Sequence, residues 1–293
     1  MTETLNTGFR DQIKRVVAGS TAPTFITEDN VYQEGNPNAL SILDEMVDHL
    51  TLPGSGLDGM ENLEALLEKA KSGKSCLLLV EHYSNLDLSI VSTLARREGG
   101  KGKEISDAII AIAGMKLNED NPVVAAFAGA YSRIIICPSR SLLDLDPEKD
   151  KEEIKRGNAI NRAAMKAIIR NKYKGKLILV FPSGTRYRPW EPDSKKGVRD
   201  IDSYVRSFDY MCFVALNGKI LHVQQTDMMN DVITKDVVRV TVSPVVSCEE
   251  FRNKVIEPLS ENDDKKQEVA NEIMKVLEKM HNDAETARAK LIN

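Results

Sequence analysis

The chain has no apolar run long enough to cross a bilayer. A span needs about 20 mostly apolar residues, and the nearest candidates, around 108–115 and 123–130, fall far short. The opening residues, Met1-Thr2-Glu3-Thr4-Leu5-Asn6, lack the basic and apolar regions of a signal peptide. A soluble, cytoplasmic protein is expected, with peripheral membrane contact left open. Cysteine is scarce: Cys76, Cys137, Cys212 and Cys248 are far apart, and the first three sit in or beside apolar runs. They read as reduced core residues rather than disulfides. Neither they nor His49, His82, His222 and His281 have zinc-ligand spacing, so no metal is expected, and no cofactor. A Gly-x-Ser-x-Gly elbow is missing, which argues against covalent serine catalysis. A Gly-x-x-x-x-Gly-Lys loop is missing too, which argues against a nucleotide P-loop. The net charge of -4 and pI near 5.7 give no global attraction for nucleic acid. Any anion site must be local.

What is present is an ordinary globular composition, 42% hydrophobic and 29% charged, in a chain of 293 residues that can bury a sizeable core. Residues 1–72 read as an N-terminal helical domain. Phe9, Ile13, Val16 and Val17 recur at helical spacing, as do Ala39, Ile42, Leu43, Met46, Val47 and Leu50, and then Leu63, Leu66, Leu67 and Ala70. Residues 51–59 read as a linker, and no strand is needed before residue 75. From residue 73 onward short apolar runs at 77–81, 108–113, 133–137, 177–181, 211–216 and 237–246 alternate with helical stretches near 85–98, 121–129, 149–172 and 199–208. Residues 218–225 suit a further strand or hairpin arm. A long helix from about Asp263 closes the chain, fraying past Ala284. This alternation predicts an α/β domain over 73–293 with a mixed, partly parallel central sheet covered by helices.

Two strand ends carry the chemistry. The first is Glu81-His82-Tyr83-Ser84-Asn85-Leu86-Asp87. Strand 77–81 ends at His82, and a helix begins near Ser84 or Asn85, either of which can serve as N-cap. Asp87 in the first turn can reach back to one imidazole nitrogen, which fixes the tautomer and frees the other to take a proton from a hydroxyl. The alternative is a packing histidine and a carboxylate that only decorates a helix start. The second is Phe181-Pro182-Ser183-Gly184-Thr185-Arg186-Tyr187-Arg188. Pro182 and Gly184 allow a sharp turn, and Arg186 and Arg188 offer planar forks for a phosphate. Standing alone, it equally suits a solvated turn. Arg140 and Lys116 follow two other strands and would reach the same rim if those strands are parallel. Lys195, Lys196 and Arg199 read as a solvated loop.

Together these blocks resemble the glycerolipid acyltransferases, which pair a His-x-x-x-x-Asp block with a later Pro-(Glu/Ser)-Gly-(Thr/Gly)-Arg block. Here these are His82 with Asp87, and Pro182-Ser183-Gly184-Thr185-Arg186. The Pro-Ser-Gly form, Arg188 two positions on, and the block Tyr131–Arg140 are similar to the soluble plastid-type glycerol-3-phosphate acyltransferases. The resemblance covers about residues 75–217. It departs at Glu81, where many members have Asn, and in the thin basic cluster after Arg140. It implies transfer of a fatty acyl group from acyl-carrier-protein or acyl-CoA to the sn-1 hydroxyl of glycerol 3-phosphate. His82 and Asp87 would then be catalytic, with Arg140, Ser183, Gly184, Thr185, Arg186 and Arg188 holding the acceptor. A plastid setting would place the protein in the stroma. Three rivals stay open: a lysophosphatidate acyltransferase, a non-enzymatic phospholipid or sugar-phosphate binding module that needs only the arginines, and a thioester hydrolase that does not need them.

Overall fold

The computed structural model describes residues 2–292. The apolar runs become strands, and shorter strands outside those runs join them: β1 Tyr32–Gln33, β2 Gly56–Asp58, β3 Cys76–Val80, β4 Ile109–Gly114, β5 Arg133–Ile136, β6 Leu177–Val180, β7 Tyr210–Asn217, β8 Leu221–His222, β9 Val232–Ile233, β10 Arg239–Val242 and β11 Val246–Ser247. Nine form one sheet in the order β1-β5-β4-β6-β3-β7-β10-β2, with β11 beside β7. The five strands from β5 to β7 in that order are parallel. Strand β1 is antiparallel to β5, and β10 and β11 are antiparallel to β7, while β2 pairs parallel with β10. Strands β8 and β9 form a separate hairpin.

Every residue of β3 and β6 is buried, as expected for parallel strands covered on both faces. One face packs against helices Arg10–Ala18, Pro37–Leu50, Met60–Lys71, Asp87–Arg97 and Gly102–Ala108, and that core runs from Leu5 to Val242. The other packs against Lys151–Asn171, Ile201–Ser207, Cys248–Ile256 and Lys265–Ile292. On the last helix Val269, Ile273 and Leu277 are fully buried, and the helix continues past Ala284 to Ile292. All four cysteines are buried and unbridged.

The structure corrects the sequence reading in several places. Two strands precede residue 75, and β2 lies inside the expected linker. Both are two or three residues long, too short to display a period-two pattern, and they exist because β5 and β10 offer open edges. The run 237–246 is two strands, interrupted at Ser243-Pro244, since proline cannot donate to a ladder. Four helices were not expected: Gly102–Ala108, Lys116–Glu119, Ser139–Leu143 and Cys248–Ile256.

Parallel pairing sets the site's location. The segments after β3, β4, β5 and β6 all leave from one edge of the sheet, where open α/β sheets place ligands. Helix Asp87–Arg97 is held there by helix Gly102–Ala108. Ser92 and Ser106 share a buried hydroxyl bond of 2.6 Å, and Arg96 donates to both. A methyl group at Gly102 would overlap the Ala95 carbonyl. Gly102→Ala is therefore expected to destabilise the fold by about 1–3 kcal/mol, the range for overpacking. Denaturant unfolding is the check, and an unchanged midpoint would mean that the two helices separate easily.

Candidate active site

Val80 ends β3, and the chain turns through Glu81–Leu86 into helix Asp87–Arg97. The turn is built on one carboxylate. Asp87 is 2% exposed. Its Oδ2 accepts from the backbone N–H of Tyr83 (2.5 Å) and Ser84 (2.8 Å), and Oδ1 accepts from the Ser84 hydroxyl (2.7 Å). The same Oδ2 lies 2.9 Å from His82 Nδ1. A buried carboxylate requires such partners. Acting as acceptor throughout, it places the imidazole proton on Nδ1 and leaves Nε2 to accept. Neither Ser84 nor Asn85 is the N-cap; Leu86 is, because Asp87 takes the loop N–H groups that a cap would otherwise organise.

The second block sits beside the first because β6 pairs with β3. Phe181 stacks on the His82 ring, centroids 3.9 Å apart and planes 16° from parallel. Tyr187 N–H donates to the His82 carbonyl at 2.8 Å, so the two blocks are hydrogen-bonded to each other. Gly184 N–H closes the turn onto Phe181 O at 2.9 Å, with Gly184 at a φ of 65° that favours glycine. The Ser183 hydroxyl donates to Thr185 O at 2.7 Å. The Gly184 N–H is thus used inside the loop and the Tyr187 N–H across to the first block.

The arginines are placed differently from each other. Arg186 is mostly buried, with Nη1 3.7 Å from Asp231 Oδ2, too far for a hydrogen bond, and neither atom has another hydrogen-bond partner among the described residues. Burial pulls the Arg186 guanidinium down from its ordinary range; the charges of Asp231 and Asp87 oppose this, which puts Arg186 in the same field as the His82–Asp87 pair. Arg188 instead donates to Glu191 at 2.7 Å and to the Thr185 hydroxyl at 3.3 Å. Arg140 lies exposed on helix Ser139–Leu143, after β5. Two strands separate β5 from β3, so its strand end is about 14 Å from that of His82. Lys195 and Arg199 pair with Glu278 and Asp264 of the last helix and its approach, and Lys196 pairs with Asp193.

A second buried network lies behind His82, and sequence reasoning missed it. Glu81 accepts from Tyr83 Oη (2.8 Å) and from Leu216 N–H (2.9 Å), and its Oε2 is 3.0 Å from Nδ1 of His281 on the last helix. Burial, then the Glu81 charge, pushes the Tyr83 hydroxyl well above its usual range. The one signal in the sequence was the acidic residue at position 81. Asp231 and the stacking role of Phe181 gave none. A cavity of about 560 Å³ between β10 and the last helix is lined by none of the predicted site residues.

Adjacent ends of the parallel strands β3 and β6 thus carry a His–Asp pair and an arginine loop. Residues 58–247, more than half of the chain, match the family model described as Acyltransferase, and the chain belongs to that family. No curated protein matches it.

Two outcomes follow. Glu81→Ala would strand the Leu216 N–H in the core, leave the Tyr83 hydroxyl only its 3.3 Å contact with His281 Nδ1, and should destabilise by about 1–3 kcal/mol. His281→Ala should cost less, because Glu81 keeps both donors. Equal losses in denaturant unfolding would contradict this hierarchy. The second concerns Asp231, whose carboxyl is pushed up by burial. A carboxyl raised on folding stabilises the fold fully below its unfolded pKa, and that contribution is lost as pH rises through the folded value. Stability of the wild type relative to Asp231→Asn should therefore fall as pH climbs through and just above the ordinary carboxylate range. A flat difference would mean that Arg186 already compensates the charge.

Proposed function

We propose that the chain transfers a fatty acyl group from an acyl-carrier-protein or acyl-CoA thioester to the sn-1 hydroxyl of glycerol 3-phosphate. The observation that carries the reading is the His82–Asp87 pair at 2.9 Å, hydrogen-bonded through Tyr187 to the loop that bears Arg186. A binding module has no need of an oriented imidazole, and a hydrolase has no need of Arg186.

In this reading His82 Nε2 takes the acceptor hydroxyl proton as its oxygen attacks the thioester carbonyl. The new C–O bond forms, the C–S bond breaks, and the imidazolium returns the proton to the leaving thiolate. Asp87 is fixed by its other bonds, so it can stabilise the imidazolium without rearranging. Phe181 keeps the ring from rotating. Arg186 takes the acceptor phosphate, since its fork is incompletely engaged by Asp231. Arg188 would join it only by leaving Glu191. Arg140 and the Thr185 side of the loop remain secondary contacts.

Lysophosphatidate acylation is the second reading. It is favoured by exposed apolar side chains on the segments that follow β4, β5 and β6: Leu117, Leu143, Trp190 and Val198. These would suit an acceptor lying in a membrane. No helix among the described residues is long and apolar enough to cross one.

Assays with each donor, and with glycerol 3-phosphate or lysophosphatidate as acceptor, separate the readings by product. His82→Ala should abolish transfer and leave acceptor binding largely intact. Arg186→Ala should raise the acceptor KM about ten- to a hundred-fold, the loss of one charge-assisted contact, with the donor KM little changed. Arg186→Lys should recover only part of this, lacking the fork. Near-normal turnover in folded His82→Ala would remove His82 from the mechanism.

A further inference from the structure

Arg133 opens β5, and it is 2% exposed. Among the described residues no protein group accepts from its Nε, Nη1 or Nη2. The other arginine buried to this class, Arg288, is fully answered: it donates to Val237 O and to Asp236 and Glu285. Burial pulls the Arg133 guanidinium down to about 10, which still leaves it charged at neutral pH. A buried cation without a counter-charge is costly, and native folds answer such groups.

Arg133 is one of the residues that line a cavity of about 260 Å³, whose polar walls include Ser20, Thr21, Gln33, Glu34 and Asn36. The Asn36 side chain is already used: it donates to Gly19 O and accepts from Asn38 and Ala39 N–H. Ser20 Oγ accepts from Ala22 N–H, which leaves its own proton to donate. Thr21 adds an exposed hydroxyl at the mouth. A side chain at Gly129 would press within 3.3 Å of Arg133 Nη1, so glycine there keeps the guanidinium clear. Glu34 is exposed at the rim, where solvent screens it.

We propose that this cavity binds a phosphate group, free or as a small monoester, on the Arg133 fork, with the Ser20 and Thr21 hydroxyls as further donors. A planar fork plus hydroxyls from another direction suits a tetrahedral oxyanion. The site is separate from the one at His82. Arg133 is in register with Ala111, Leu179 and Leu78, four residues short of His82 and three strands away, roughly 13 Å along and 14 Å across the sheet. Bound phosphate would neutralise Arg133 and tie the loop after helix Arg10–Ala18 to β5. This inference does not depend on the acyl-transfer reading.

The test removes the other anion site first. In Arg186→Ala/Arg188→Ala, inorganic phosphate is titrated by calorimetry at constant ionic strength, with chloride as balance. Saturable binding of one phosphate per chain is expected to survive. Adding Arg133→Met should weaken it at least ten-fold, and Glu34→Gln should tighten it. Methionine removes the buried charge at similar length, so the variant should fold at least as stably in chloride. Should it not fold, Arg133→Lys in the same background decides, since an ammonium lacks the fork and should bind more weakly. Absence of saturable binding in the double variant, or binding unchanged by the Arg133 substitution, overturns the proposal. A parallel titration with glycerol 3-phosphate distinguishes a monoester from free phosphate: tighter binding than inorganic phosphate assigns the site to the ester, and weaker binding assigns it to the free ion.

Discussion

The pairing of β3 with β6 is the constraint on which the rest depends. Its register sets Leu79 opposite Val180, so the residues that leave the sheet together are Glu81-His82 on one strand and Phe181-Pro182 on the other. The His82–Phe181 stack and the Tyr187–His82 hydrogen bond are consequences of that register. A slip of one residue would turn every side chain of either strand to the opposite face. Because both strands are buried on both faces, such a slip would also break two cores at once. The geometry of the candidate site is therefore specified by the packing of buried strand residues.

The central strands were legible because parallel strands covered on both sides must be apolar throughout, and such runs stand out between charged helices. Most of the helices flanking them were legible for the complementary reason, a one-sided stripe. Edge elements were not. Tyr32-Gln33 and Gly56-Leu57-Asp58 carry no pattern of their own and are strands only because a neighbour presents unpaired backbone groups. The short helices after β4 and β5 are four and five residues long, below the length at which a periodic signal accumulates.

At the site, residue type and local spacing were enough to pair His82 with Asp87, since five positions across a strand–helix turn leave the carboxylate little choice. The longer-range partners were not readable. Asp231 meets Arg186, His281 meets Glu81, and Phe181 meets His82 across separations of tens to hundreds of residues. Only the fold decides those meetings. The acidic residue at 81 was the one local irregularity, and it marks the place where the last helix is tied to the loop carrying the histidine.

Charge supplies the last step. The chain carries 40 basic and 44 acidic residues, so an anion is not drawn to the protein as a whole. What distinguishes a cation that can hold a ligand is the state of its partners. Lys195, Lys196, Arg188 and Arg199 cluster near the second block in sequence, yet each has a carboxylate within 3.1 Å. An anion arriving there would have to displace that carboxylate, with little net gain in water. Arg186 and Arg133 differ: one has a partner too distant to satisfy its guanidinium, and the other has none among the described residues. Both are desolvated, so each loses hydration that a protein group has not replaced. An oxyanion supplied from outside would restore in one contact what folding left unmade. Position in sequence pointed to the cluster, and pairing geometry points to these two side chains.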